Sequence, residues 1–209
     1  MTTPAEKKSS RTRYLTYSLV ILAAFAAGIV LAWTMQQWRS ETPVSPAGVE
    51  AYGGDFELDA TWGKSGLPDY RGKLVLIYFG FTSCPDVCPT SLGTMKAAMA
   101  ELGAAEQAQV QGLFITVDPE RDTPQRIEQY AQYFHPNFHG LSGTPADIAH
   151  VAKQYGAIYR KVETPESSMP YTMDHSSVIY VVDQQGALKA KVQHGATPTE
   201  LAAKIREYL

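Results

Sequence analysis

Apolar positions along this chain fall into three patterns, and each predicts a different kind of element. The longest apolar run comes first, about Tyr14 to Met35, with Trp33 and Trp38 at its far end. About 20 apolar residues suffice to cross a bilayer, and tryptophan suits the interface. Ser40–Gly54 then carries Pro43, Pro46, Gly48, Gly53 and Gly54 without any period, which predicts a linker. Past it the runs shorten to strand length. Lys73–Phe81, apolar from Leu74, and Val110–Asp118 read as buried central strands, and Phe56–Ala60 as a shorter one. Ser91–Leu102 reads as a helix stopped by Gly103, the residue type favoured just past a helix end.

The second half repeats one opening. Thr123-Pro124, Thr144-Pro145 and Thr197-Pro198 each start a helical pattern. Threonine can cap, and proline takes the first helical position, where its missing N–H costs nothing. Asp147 and Glu200 follow their threonines by three residues, the latter matching a capping box, and Gly156 closes the middle helix. Ala157–Val162, Val178–Asp183 and Ala187–Gln193 read as strands, with the turn Asp183-Gln-Gln-Gly186 joining the last two into a hairpin.

Strand–helix alternation followed by a late hairpin and a terminal helix predicts an α/β, thioredoxin-like sandwich. The extra helix after Thr123 predicts its enlarged, peroxiredoxin-like variant, preceded by one N-terminal transmembrane helix. The expected organisation is a basic cytoplasmic segment over 1–13, a transmembrane anchor over 14–35, a linker over 36–54 and the folded domain over 55–209. Lys7, Lys8, Arg11 and Arg13 precede the span and only Arg39 follows closely, so positive charge keeps the start inside and exports the rest. A cleaved signal peptide ending near Ala24-Phe25-Ala26 is the competing expectation. The apolar run continues through Ile29, Val30, Leu31 and Trp33, which favours an uncleaved anchor, and no cysteine is near enough for a lipoprotein. With no Arg-rich amphipathic transit segment, the periplasmic side of a bacterial membrane is expected rather than a mitochondrial intermembrane space.

The formal net charge of the 209 residues is −3, and from residue 51 onward 13 Lys and Arg stand against 18 Asp and Glu. That balance argues against nucleic acid as a partner.

The chemistry is concentrated at the end of the first central strand. Cys84 and Cys88, the only cysteines in the chain, follow Leu74–Phe81 and Thr82-Ser83, each with a proline behind it. A strand-to-helix handover is the usual place for a site on an open α/β sheet. The spacing C-x-x-x-C would put both sulfurs on one face of a helix, able to meet one ion or each other. A redox C-x-x-C has one residue fewer, and a structural zinc site wants four ligands. A structural disulfide or two buried thiols is the plainer alternative. Two thiolates suit a soft ion such as Cu(I), and a third ligand would strengthen that reading. Met169-Pro-Tyr-Thr-Met-Asp-His175 supplies one: His175 falls in a polar turn just before Val178–Val182, and in a thioredoxin-like fold that turn faces the cysteine loop.

Three stretches, FGFTSCPDVCPTSL, VDPERDTP at Val117–Pro124 and YTMDHSSVIYVVDQQG, together resemble the Sco/SenC family of copper-delivery proteins. The resemblance runs from about Gly53 to the C-terminus. It implies a tethered thioredoxin-like domain that holds one copper ion, Cu(I) or Cu(II), on Cys84, Cys88 and His175. It also implies a copper metallochaperone serving the binuclear copper centre of cytochrome c oxidase. The partners it implies are the copper-bearing oxidase subunit and an upstream copper donor.

An enzymatic alternative uses the same atoms. Cys84 and Cys88 could cycle between dithiol and disulfide as a thiol–disulfide reductase, keeping the oxidase's copper-site cysteines reduced. Ser176-Ser177 stands where thioredoxins carry a cis-proline, which counts against a general oxidoreductase. A thiol peroxidase would share the fold and is the weakest reading. Asp118 and Asp122 should lie near the cysteine loop, or else the second merely caps the next helix with Thr123. Asp86 has no role that the residues alone define, Met169 and Met173 read as gap-fillers before ligands, and His135, His139, His150 and His194 read as solvated.

Overall fold

The computed structural model describes Tyr14, Tyr17, Val20, Ile21 and residues 23–31, 52–167 and 169–209. The first of its two compact units is Met1–Glu50, whose described residues are helical and exposed. The predicted basic segment 1–13, much of the span over 14–35 and most of the linker over 36–54 lie outside the described residues. Among the described residues, no helix is long and apolar enough to cross a membrane.

The second unit, Ala51–Leu209, is the folded domain. Its strands are β1 (Glu57–Ala60), β2 (Gly63–Gly66), β3 (Leu74–Gly80), β4 (Val110–Thr116), β5 (Phe138–Leu141), β6 (Tyr159–Glu163), β7 (Tyr171–His175), β8 (Val178–Val182) and β9 (Leu188–Gln193). Its helices are α1 (Val87–Glu101), α2 (Ala104–Ala108), α3 (Pro124–Phe134), α4 (Pro145–Tyr155) and α5 (Pro198–Tyr208). The main sheet runs β5-β4-β3-β8-β9. β3 pairs parallel with β4 and antiparallel with β8, so every residue of β3 and β4 is buried between covered faces.

Alternation along β3 sorts the two layers. Phe79 points to the face where Tyr155 of α4 and Tyr180 of β8 pack, with ring centroids 6.1 and 5.7 Å away. Tyr78 and Gly80 point to the other face, toward Cys88 of α1 and Phe114, which meets Tyr130 of α3. α5 packs beside α1. The threonine caps are as expected: Thr123, Thr144 and Thr197 accept from the amides of Arg126, Asp147 and Glu200. Both Asp147 and Glu200 return the bond, so there are two capping boxes, not one.

The expected short strand Phe56–Ala60 is β1, which forms a hairpin with β2 outside the main sheet. Several expectations need correction. The predicted strand Ala157–Val162 is Tyr159–Glu163, and it pairs antiparallel with β7 in a two-stranded ribbon. β7 was expected to be a polar turn: its alternation is too short and too polar to register as a strand until β6 is beside it. α1 opens at Val87 and not Ser91, because Pro89 sits within the first turn, where no amide bond is lost.

Candidate metal centre

Cys84 precedes α1 and Cys88 lies inside it, so the two thiols do not share a helix face as the spacing alone suggests. The loop turns instead. At the start of α1, Asp86 holds the cap position without making a side-chain cap bond. The Cys88 amide donates to Cys84 Sγ at 3.5 Å, so sulfur takes up one of the helix's orphan donors. Both cysteines are free and buried.

His175 completes the cluster from the end of β7. Its Nε2 stands 3.3 Å from Cys88 Sγ, and the ligand atoms of Cys84, Cys88 and His175 all lie within 4.8 Å of one another. Nδ1 faces the Ser176 carbonyl at 3.2 Å. A carbonyl only accepts, so Nδ1 donates to it and Nε2 is the ring atom turned toward the sulfurs. The imidazole edge rests against the rings of Tyr78 and Phe81, 6.1 and 5.9 Å between centroids. Two soft sulfurs and a borderline nitrogen, partly walled by aromatic rings, make a donor set suited to copper.

The two thiols are electrostatically unequal. Donation from Cys88 pulls the Cys84 thiol well below the ordinary thiol range, against its burial, with His175 and the amides of Asp86 and Cys88 adding to the pull. Cys88, facing that negative sulfur and fully buried, is pushed up. The pair therefore favours a single shared proton, with the negative charge drawn toward Cys84.

The loop is held from below. Asp122, fully buried, accepts from the Thr82 amide at 2.9 Å, from the Thr82 hydroxyl and from the Thr116 hydroxyl at 2.9 Å. Arg126 donates to the hydroxyls of Thr82 at 2.7 Å and Ser83 at 3.2 Å. Asp122 is thus an anchor of the cysteine loop, and Thr123 alone caps α3.

The SCO1/SenC family profile matches residues 44–209. This chain belongs to that family. An SCO2-like protein of Rickettsia conorii is 39% identical over 155 residues, 74% of this chain and 75% of the relative. The copper-bound ScoI of Bradyrhizobium japonicum is 41% identical, with a TM-score of 0.68 over 76% of this chain and 100% of that one. The copper-bound ScoI of Arabidopsis thaliana is 34% identical, with a TM-score of 0.70 over 75% and 98%.

In this SCO1/SenC chain the remaining candidates sort by position. Asp118 is buried and accepts from Tyr171 and Arg121. Met173 lines a cleft of about 160 Å³ with Asp118, Glu120 and Lys161. Met169 lies in the turn before β7, its carbonyl accepting from Thr164. Asp86 is exposed. Three histidines expected to be merely solvated have partners: His135 Nδ1 accepts from the Asn137 amide at 3.1 Å, His139 Nδ1 meets Glu128 at 2.9 Å and His194 Nδ1 meets Ser91 at 3.1 Å. Tyr171 was not singled out in the sequence; no spacing links it to Asp118, and only the β6–β7 pairing brings it there.

Proposed function

We propose that this protein is a copper metallochaperone that carries one copper ion on Cys84, Cys88 and His175 and hands it to the binuclear copper centre of cytochrome c oxidase. The observation that carries this reading is the third donor: His175 Nε2 sits 3.3 Å from Cys88 Sγ. Thiol chemistry alone needs no such group. Copper bound to the ScoI proteins of Bradyrhizobium and Arabidopsis supports the choice of ion. The oxidase, and a donor protein upstream, follow from the family resemblance.

The geometry suits a carrier. Cys84, whose thiol is drawn toward the thiolate, is suited to take Cu(I) first. Cys88 must lose its proton as the second sulfur engages, and the imidazole Nε2 closes a three-donor site. Three donors leave the ion open to an incoming thiolate, so transfer proceeds by stepwise ligand exchange without free copper. Imidazole also makes Cu(II) tolerable where two thiolates alone would reduce it. We further propose that residues 14–35 anchor the chain in the membrane with the domain on the extracytoplasmic side, since the apolar run there matches a bilayer in length.

A second reading, thiol–disulfide exchange that keeps the oxidase's copper-site cysteines reduced, is favoured by the lowered Cys84 thiol beside a second sulfur. His175→Ala separates the two. The variant is expected to keep reversible disulfide chemistry, lose stable Cu(II) binding, weaken Cu(I) binding less and fail to support oxidase assembly. Cys84→Ser and Cys88→Ser should lose function under both readings. Wild-type oxidase assembly by His175→Ala at limiting copper would leave the reductase as the function.

A further inference from the structure

The turn between β4 and α3 carries two buried carboxylates that reach opposite halves of the candidate site. Asp122 holds the cysteine loop through Thr82. Asp118, four residues earlier, holds something else. Its carboxylate accepts from the Tyr171 hydroxyl at 2.9 Å and from Arg121 Nε. Arg121 Nη1 reaches on to the Tyr171 carbonyl at 3.0 Å. The guanidinium carbon lies 3.9 Å from the centroid of the Tyr171 ring and 5.8 Å from that of Phe81. Hydroxyl, ring and carbonyl of one tyrosine are therefore all engaged by one aspartate–arginine pair.

Tyr171 is the first residue of β7, and His175 is the last. Among the described residues β7 pairs only with β6, and this ribbon has no ladder to the main sheet. A two-stranded ribbon is marginal by itself, so what fixes the end of β7 far from β8 must come from side chains. At its His175 end Ser176-Ser177 lead straight into β8, and the Ser177 carbonyl accepts from the His194 amide, so the chain itself ties that end to the main sheet. At its Tyr171 end the Asp118–Arg121 pair ties it to the sheet. Phe81, against which the His175 ring rests, packs on the same guanidinium.

We propose that Asp118 and Arg121 are positioning residues that latch Tyr171 and so set the reach of His175 to the two thiols. The site then has two separately anchored halves, sulfur through Asp122 and nitrogen through Asp118. The proposal rests on the copper reading for its metal readout and on the ribbon's geometry for its metal-free one. Losing a group that orients a ligand typically costs about 10–100-fold in metal affinity, and here the loss should fall on the histidine-dependent state.

The test uses Tyr171→Phe, which deletes one hydroxyl and keeps the ring, beside Asp118→Asn and its conservative counterpart Asp118→Glu. In the reduced, metal-free protein the 15N signals of the His175 imidazole are expected to shift or broaden in Tyr171→Phe and Asp118→Asn. With Cu(II) added, both variants should bind about tenfold or more weakly, with spectra displaced toward that of His175→Ala. Asp118→Glu should recover part of the loss. The Cys84–Cys88 couple should titrate as in the native chain. A merely structural pair would lower the melting temperature while leaving ring signals and Cu(II) spectrum native, and that result overturns the latch. Native Cu(II) binding by His175→Ala would defeat the copper site instead. In that case the metal-free ring signals still decide: coincident signals in native and Tyr171→Phe protein refute the latch, and displaced ones uphold it.

Discussion

His175 Nε2 and Cys88 Sγ face each other at 3.3 Å across the seam between the small β6–β7 ribbon and helix α1. The two residues come from elements that share no hydrogen-bond ladder, and each is fixed by its own set of contacts. That independence makes the cluster sensitive to changes on either side, and each prediction below tests one of them.

Oxidation should erase the site. A disulfide has no thiolate to offer, and the sulfurs of Cys84 and Cys88 belong to one cluster within 4.8 Å. The reduced domain is expected to take up one Cu(I), and the Cys84–Cys88 disulfide form none, as read by competition with a chromophoric Cu(I) chelator. Tight uptake by the oxidised form would mean that the ion sits elsewhere.

The buried Asp122 carboxylate should matter to both stability and copper. Asp122→Asn replaces one acceptor oxygen by a donor facing the Thr82 and Thr116 donors. Losing a charge-assisted buried acceptor costs roughly 2–4 kcal/mol, measurable by urea unfolding. Cu(I) affinity should fall too, because Thr82 leads directly into the cysteine loop. A stability change under about 0.5 kcal/mol, the level of an ordinary surface substitution, would contradict the anchoring role.

The lowered Cys84 thiol has a kinetic signature. An ordinary thiol with a pKa near 8.5 loses about tenfold in alkylation rate per pH unit below it. The folded state favours the Cys84 thiolate, so its rate should stay nearly level from pH 8 to pH 6 and fall only in stronger acid. Cys88, pushed the other way, should react far more slowly throughout. Iodoacetamide labelling followed by peptide mass analysis reads both rates. A tenfold fall per unit at Cys84 between pH 8 and pH 6 would show that the thiolate is not stabilised.

How much of this was legible in the sequence depends on where the forces act. The parallel core strands, the three threonine-proline caps and the late hairpin are local features, and each appears at its expected place within a few residues. The cysteine pair stood out because the chain has no other cysteine and both follow a strand end, and His175 because it falls just before Val178–Val182. The strand near β6 was expected, but β7 and its pairing were missed, since only Tyr171 and Met173 mark its buried face. Its pairing, Tyr159 with His175 through Glu163 with Tyr171, is set by partners distant in sequence. The same non-locality hid Tyr171, and it left Asp118 and Asp122 undecided until their acceptors' partners were in view. The shared helix face expected for the thiols failed at one residue, since α1 begins only after Cys84.

Gly80 offers the sharpest steric test, because it ends β3 directly beneath Cys88. A Cβ built there would lie 2.7 Å from Cys88 Sγ, 2.8 Å from Phe114 Cε2 and 3.2 Å from Tyr78 Cε1. None of these can yield freely: Cys88, Phe114 and Tyr78 are all buried, and His175 stands on the sulfur's other side. Gly80→Ala must push either the sulfur or the Phe114 ring, and overpacking of this kind costs about 1–3 kcal/mol. Gly93, within the same α1 that carries Cys88, is the matched control, since nothing lies within 4 Å of its added Cβ. Gly93→Ala in a helix interior should stabilise by about 0.5–1 kcal/mol. The two substitutions are thus expected to move urea midpoints in opposite directions, and only Gly80→Ala should weaken Cu(I) binding. Native copper affinity in Gly80→Ala would mean that the Cys88 sulfur is free to move and that the close fit under it plays no part in holding the ion.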